Sequence, residues 1–145
     1  MGRGPKAPPW VLVFDFWEFF KSAGATSFGG VPYTYEMLKK LRFFRMDLPT
    51  LRTLTQAGGK LAPELAREVA EYSARRNVRF FVMYGQTEAT ARMADLPPEL
   101  ALAKCGSMGR PIPGGRFELI DADGARIEGP DVPGELVYHG PNVAL

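Results

Sequence analysis

The fold class read from this sequence is α/β: a parallel βαβαβ half of a doubly wound sheet, followed by the start of an antiparallel β-rich subdomain. Three observations carry that reading. Short β-branched or aromatic runs alternate with segments of helical period. The predicted strands of the first part end at glycine, as in Gly29-Gly30, Gly58-Gly59 and Gly85. Beyond Glu88 the texture changes to turn formers and paired short strands, with no further strand-helix alternation.

Taken in order, residues 1–9 read as a disordered leader, because Met1-Gly2-Arg3-Gly4-Pro5-Lys6 is basic and rich in breakers. Residues 10–22 are core-bound, with a helix beginning near Phe16-Trp17-Glu18 and ending at the Gly24 turn; Asp15 and Glu18 interrupt the apolar stretch and exclude a signal peptide. Ala25-Thr26-Ser27-Phe28 is a short strand that stops at the first glycine pair. A helix follows over 34–44, capped by Thr34, with Met37, Leu38, Leu41 and Phe44 on one face. Leu51 to Gln56 alternates apolar and polar and is a second strand. Pro63 opens a helix whose Leu65, Val69 and Tyr72 share a stripe, and the basic turn Arg75-Arg76 with Asn77 closes it. Val78 to Met83 is the third strand. Strand, helix, strand, helix, strand with long crossovers implies parallel neighbours joined by right-handed connections.

In the second part, Leu96-Pro97-Pro98-Glu99-Leu100 is a loop or short helix and Gly106 to Gly115 a turn-rich segment. Phe117 to Ile120 and Glu135 to His139 are antiparallel strand candidates, separated by turns at Asp121-Ala122-Asp123-Gly124 and Pro133-Gly134. The division expected is an α/β part over 10–95 and a β-rich part over 106–145. The apolar ending Pro141-Asn142-Val143-Ala144-Leu145 is read as a cut inside a larger domain, so that the whole is a partial domain.

Composition bounds the function. With 145 residues, 46% of them apolar, the chain can bury a core of ordinary size. Its net charge is +2, from 18 basic and 16 acidic residues without long runs of either sign, so no nucleic-acid or membrane footprint is expected. The apolar N-terminal stretch is also too short for a transmembrane segment. Cys105 is the single cysteine; it excludes an internal disulfide and fits a reducing, cytoplasmic setting, and it reads as a small packed side chain.

Parallel strands send their C-terminal ends to one edge, where open α/β sheets bind ligands. Tyr84-Gly85-Gln86-Thr87-Glu88 sits at such an end. It combines an aromatic stacking face, a close backbone approach, a hydroxyl donor for a phosphate and a carboxylate that can ligate Mg²⁺. Taken singly, these residues have structural readings as well: Glu88 as a helix-start carboxylate, Thr87 as a cap, Tyr84 as a core aromatic. Arg110 either pins its loop to a carboxylate or approaches a phosphate, and Ser27 to Val31 either line an acid pocket or end a strand. His139 has no Ser, Cys or Asp partner at a telling distance and reads as an ordinary surface or interface histidine.

The Tyr84 to Glu88 stretch resembles the Y-G-x-T-E motif of the adenylate-forming superfamily of acyl-CoA synthetases, luciferases and peptide-synthetase adenylation domains. Gly106-Ser107-Met108-Gly109-Arg110-Pro111-Ile112-Pro113-Gly114 resembles its G-x-x-G-x-P-x-P-G loop. Gly134-Glu135-Leu136-Val137-Tyr138-His139-Gly140 resembles its G-E-L-x-x-x-G strand, and Ala57-Gly58-Gly59-Lys60-Leu61 its upstream glycine pair. The motifs occur in family order over about residues 16–145.

The resemblance implies an AMP-forming carboxylic acid–thiol ligase. Such an enzyme couples a small carboxylic acid to ATP as an acyl-adenylate and passes the acyl group to coenzyme A or another thiol. It implies Tyr84 on the adenine face, Gly58 and Gly59 bordering adenine and the acyl channel, with Lys60, Gly85 and Gln86 beside them in the nucleotide site. Thr87 would bond the α-phosphate and Glu88 would hold Mg²⁺, these two being the catalytic residues. The family's phosphate loop is expected before residue 1, and its ribose-binding aspartate, hinge and C-terminal catalytic lysine after residue 145. The isolated chain is therefore expected to bind ATP poorly and to catalyse little. The alternative is an inactive truncated copy serving as a binding or interaction module, self-associating through exposed edges of its sheet. A dinucleotide-binding oxidoreductase is disfavoured, since no G-x-G-x-x-G follows a strand.

Overall fold

Leu54, Val69, Tyr35 and Phe80, all at most 2% exposed, meet at the centre of the molecule, and the elements around them follow from that shared burial. The computed structural model describes residues 9–144. Its helices are α1 (Pro9–Ser22), α2 (Pro32–Lys40) and α3 (Pro63–Arg76). Its strands are β1 (Ser27–Gly30), β2 (Thr53–Gln56), β3 (Arg79–Tyr84), β4 (Ala94–Leu96), β5 (Arg110–Pro111), β6 (Arg116–Ile120) and β7 (Glu135–His139). Single 3₁₀ turns lie at Phe43–Arg45, Thr87–Ala89 and Pro98–Leu100.

The first five strands form one mixed sheet in the order β1-β2-β3-β4-β5. β1, β2 and β3 are parallel, with Ser27 opposite Thr53 and Thr53 opposite Arg79, while β4 and β5 add antiparallel. β6 and β7 pair as a separate antiparallel hairpin from Arg116–His139 to Ile120–Glu135. The α/β class and the parallel β1-β2-β3 arrangement are as read from the sequence. β5, from the turn-rich segment, completes the first sheet.

Aromatic contacts tie the helices to one another and to the sheet. Trp17 of α1 packs on Phe43 (5.2 Å between ring centroids), Phe43 on Tyr72 of α3 (5.1 Å), and Tyr35 of α2 on Phe80 of β3 (5.9 Å). The Tyr35 hydroxyl donates to the Thr55 carbonyl of β2 at 2.8 Å, which satisfies a buried polar group and locks α2 to the sheet. Burial pushes the Tyr35 phenol far above its ordinary pKa, and burial likewise raises that of Tyr72.

Several boundaries differ from the sequence reading. α1 begins at Pro9, earlier than Phe16, while residues 1–8 of the expected leader lie outside the described residues. α2 begins at Pro32 with Val31 as N-cap, so Thr34 lies inside its first turn and caps nothing. The same helix stops at Lys40: Arg42 adopts a left-handed φ of 58°, and Phe44 falls on the following 3₁₀ turn. Gly29 and Gly30 are the last residues of β1 and pair with Thr55 and Gln56, so they are not a loop past the strand. Tyr84 likewise ends β3 itself. The start and stop of α3 agree with Pro63 and with Asn77, which closes the helix at φ 54° and donates to Ala74 and Ser73 carbonyls.

Candidate functional site

Gln56 is the residue from which the site is built. It occupies an inward phase of β2 after Leu54, is 1% exposed, and a buried amide must find partners. Its Nε2 donates to the Ala57 carbonyl at 3.1 Å and to the Gly59 carbonyl at 2.8 Å, so the chain leaving β2 curls around it. Gly58 sits at φ +74°, and a Cβ there would lie 3.0 Å from Val31 Cγ1. The Gly58-Gly59 bend thus rests on the junction between β1 and α2.

The neighbouring strand end contributes the second wall. Tyr84 closes β3, and Gln86 Nε2 donates to its hydroxyl at 3.2 Å. The Tyr84 ring lies 6.4 Å from that of Phe117 on β6. Met93 N–H donates to the Tyr84 carbonyl at 2.7 Å, which folds the chain back on itself. Gly85 lies under that fold: a Cβ would stand 2.5 Å from the Ala91 carbonyl oxygen, so a side chain is sterically excluded. Gly109 has the same explanation, with φ +87° and its missing Cβ aimed into the Asp95 backbone of β4.

Between these walls lies a cleft of about 460 Å³. Of the residues singled out from sequence, Gly58, Gly59, Lys60, Tyr84, Gly85 and Gln86 line it together, and Gly106, Ser107 and Met108 close it from the turn-rich segment. Leu61, Val82 and Met83 supply apolar lining. Thr87 and Glu88 are not among its lining residues; they form the 3₁₀ turn that follows Gln86, both exposed, with buried Ala89 anchoring that turn. Glu88 forms no ion pair among the described residues. Gly29 and Gly30 share the sheet edge but do not line the cleft.

His139 Nε2 lies 2.6 Å from Glu118 Oε2 on the β6–β7 hairpin, a structural pairing away from the cleft. Arg110 is exposed on β5 opposite Asp95. Cys105 is half-buried and its thiol donates to the Ala101 carbonyl at 3.1 Å. Sequence reasoning passed over Gln56 and Asn142. A polar residue in the apolar phase of β2, directly before a glycine pair, was a usable signal for the first. Nothing local marks the second.

The cleft at the C-terminal edge of the parallel strands is thus walled by a diglycine bend and a Tyr-Gly-Gln strand end. The model of the AMP-binding enzyme family matches residues 5–145. The chain belongs to the AMP-binding enzyme family. Among curated relatives it is 36% identical over 115 residues to indoleacetate–CoA ligase of Aromatoleum aromaticum, which covers 78% of this chain and 21% of that protein. It is 36% identical over 94 residues to 2-succinylbenzoate–CoA ligase of a Geobacillus species, 65% of this chain and 18% of the relative. Among solved structures it superposes on VinN with a TM-score of 0.72 at 32% identity, covering 88% of this chain and 32% of VinN. O-succinylbenzoate coenzyme A synthetase of Bacillus subtilis in complex with AMP matches with a TM-score of 0.71 at 26% identity, covering 90% of this chain and 26% of that one. This AMP-binding family chain therefore spans about a fifth of the length of the curated relatives, at 21% and 18%. Among its described residues no helix is long and apolar enough to cross a membrane.

Proposed function

We propose that this chain forms the adenine-side wall and the phosphate-proximal loop of the nucleotide site in an AMP-forming ligase that activates a small carboxylic acid for transfer to coenzyme A or another thiol. The observation that carries this reading is the convergence of Gly58-Gly59-Lys60 and Tyr84-Gly85-Gln86 on one cleft at the C-terminal edge of the parallel strands. Tyr84 offers its ring to the adenine, and the side-chain-free Gly58-Gly59 backbone lets the base and the acid approach. Thr87 follows where an α-phosphate would extend from the cleft, and its hydroxyl donates there.

Carboxylate attack on the α-phosphate brings two anions together, and Mg²⁺ supplies the cationic charge that this encounter needs. Glu88 suits that ion, being an exposed carboxylate with no ion pair among the described residues. Magnesium commonly takes one or two carboxylates and completes its shell with phosphate oxygens and water.

Each phosphate donor lying outside this segment is worth roughly 1.5 to 3 kcal/mol, so the 145 residues alone are expected to bind nucleotide weakly and to form no adenylate. Amide-resolved NMR titration of the chain with AMP and with Mg·ATP tests the reading. Shifts should move at residues 58–60 and 84–88, with dissociation constants on the order of millimolar. Responses confined to other surfaces would refute the site. Pyrophosphate exchange by the chain at rates like those of a full-length relative would refute its incompleteness.

A further inference from the structure

The chain end carries a side chain that reaches back across the fold. Asn142 is half-buried, and its Nδ2 donates to the Ala89 carbonyl at 2.6 Å and to the Arg92 carbonyl at 3.3 Å, with Thr90 Oγ1 at 3.5 Å. Beside it, Ala144 N–H donates to the Glu88 carbonyl at 2.7 Å. The segment after β7 therefore closes over the loop that presents Thr87 and Glu88. That loop needs holding: Thr90, a β-branched residue, sits at φ 64° and ψ −171°, a conformation that persists only where the surroundings impose it.

The amide's orientation is itself imposed. The Tyr138 hydroxyl donates to Asn142 Oδ1 at 2.8 Å, which turns the two N–H groups toward the loop. Space for that hydroxyl is cleared by two glycines, since a Cβ at Gly115 or Gly140 would lie 2.5 Å from it. The Tyr138 ring packs on Phe117 at 5.5 Å, and Phe117 is the residue that meets Tyr84. The β6–β7 hairpin and the segment after it thus touch both ends of the Tyr84 to Thr90 stretch, by rings at one end and by the Asn142 amide at the other.

We propose that Asn142 is a positioning residue: oriented by Tyr138, it fixes the Thr87–Glu88 loop relative to Tyr84, so that hydroxyl and carboxylate stand ready beside a nucleotide already seated on the cleft wall. The inference rests on the nucleotide reading given above. It makes the loop's geometry depend on N–H donation, and the volume of residue 142 is secondary.

The test is residue-resolved amide hydrogen exchange on the full chain, comparing wild type with N142D, N142Q and Y138F, followed by titration with Mg·ATP. Aspartate matches asparagine in shape and can keep the Tyr138 bond, but it sets a carboxylate oxygen against two carbonyls. In N142D the Ala89 and Met93 amides should exchange faster by about tenfold or more, with β2 and β3 unchanged. N142Q, longer but still a donor, should retain more protection than N142D, the reverse of the order that fit alone would give. Y138F should loosen the same amides to a smaller extent, and it is the variant to read if N142D does not fold. On adding Mg·ATP, N142D should keep the response at residues 58–60 and lose that at 87 and 88. Unchanged loop protection in the folded variants overturns the proposal, and so does a loosened loop whose 87–88 response matches wild type. A wild-type chain in which no cleft amide responds overturns the nucleotide reading, and the clamp is then decided by the exchange data alone.

Discussion

Gly85 and Tyr35 show how single positions set the site's tolerance to change. Replacing Gly85 by Ala would place a methyl 2.5 Å from the Ala91 carbonyl oxygen, a backbone atom that can yield only if the loop over β3 moves. Gly85→Ala is therefore expected to destabilise the chain by about 1–3 kcal/mol in urea denaturation and to reshape the cleft; a variant as stable as wild type with unshifted cleft amides would contradict this. Tyr35→Phe removes the donor to the Thr55 carbonyl and should cost about 1–3 kcal/mol. Because the folded state raises the Tyr35 pKa, its stabilising contribution is complete below the unfolded value of about 10 and declines as the pH rises beyond it. Denaturation midpoints at neutral and alkaline pH check the sign: the variant should lose less stability above pH 10 than wild type, with Tyr72 supplying the alkaline loss that remains. At this scale the sequence was legible where a residue's role is local. The Tyr84-Gly85-Gln86 cluster could be picked out because its members are adjacent. Asn142 could not, because its partners at Ala89 and Arg92 are 53 and 50 positions away.

At the scale of elements, legibility followed the source of each element's stability. α3 has a proline start, an apolar stripe and an asparagine stop, all local, and its limits were readable. β4 has three residues, Ala94–Leu96, ahead of Pro97, and it is a strand only because the open side of β3 offers it hydrogen bonds. No local pattern encodes such a partner, which is why the return of the chain into the first sheet went unread. The β6–β7 hairpin offers a test of its own. Arg116 and then His139 hold the Glu118 carboxyl below its ordinary range through hydrogen bonds. A lowered folded-state pKa contributes stability above the unfolded value, and that contribution fades as the pH falls through the folded one. Acidification below about pH 4.5 should therefore loosen the hairpin's amides before those of β2, and Glu118→Gln should remove this difference. Hairpin and sheet amides with identical acid profiles in the wild type would show the cluster to be inert.

For the whole molecule, the outer edge of β1 bonds no further strand among the described residues, and Phe16 and Phe19 on α1 are 44% and 70% exposed. An open edge and exposed apolar rings on α1 favour self-association. Sedimentation velocity across a concentration series should show species larger than 16.0 kDa, and Phe19→Lys should reduce them. A strictly monomeric wild type at the highest concentration would argue against an adhesive face. The sheet carries one more implication. Its spatial order, β1 to β5, repeats the order of the chain. Within this sheet each of β2 to β5 therefore emerges during synthesis after a strand it pairs with. Strand-by-strand growth of β2 to β5, in step with the ribosome, is the route such a layout permits.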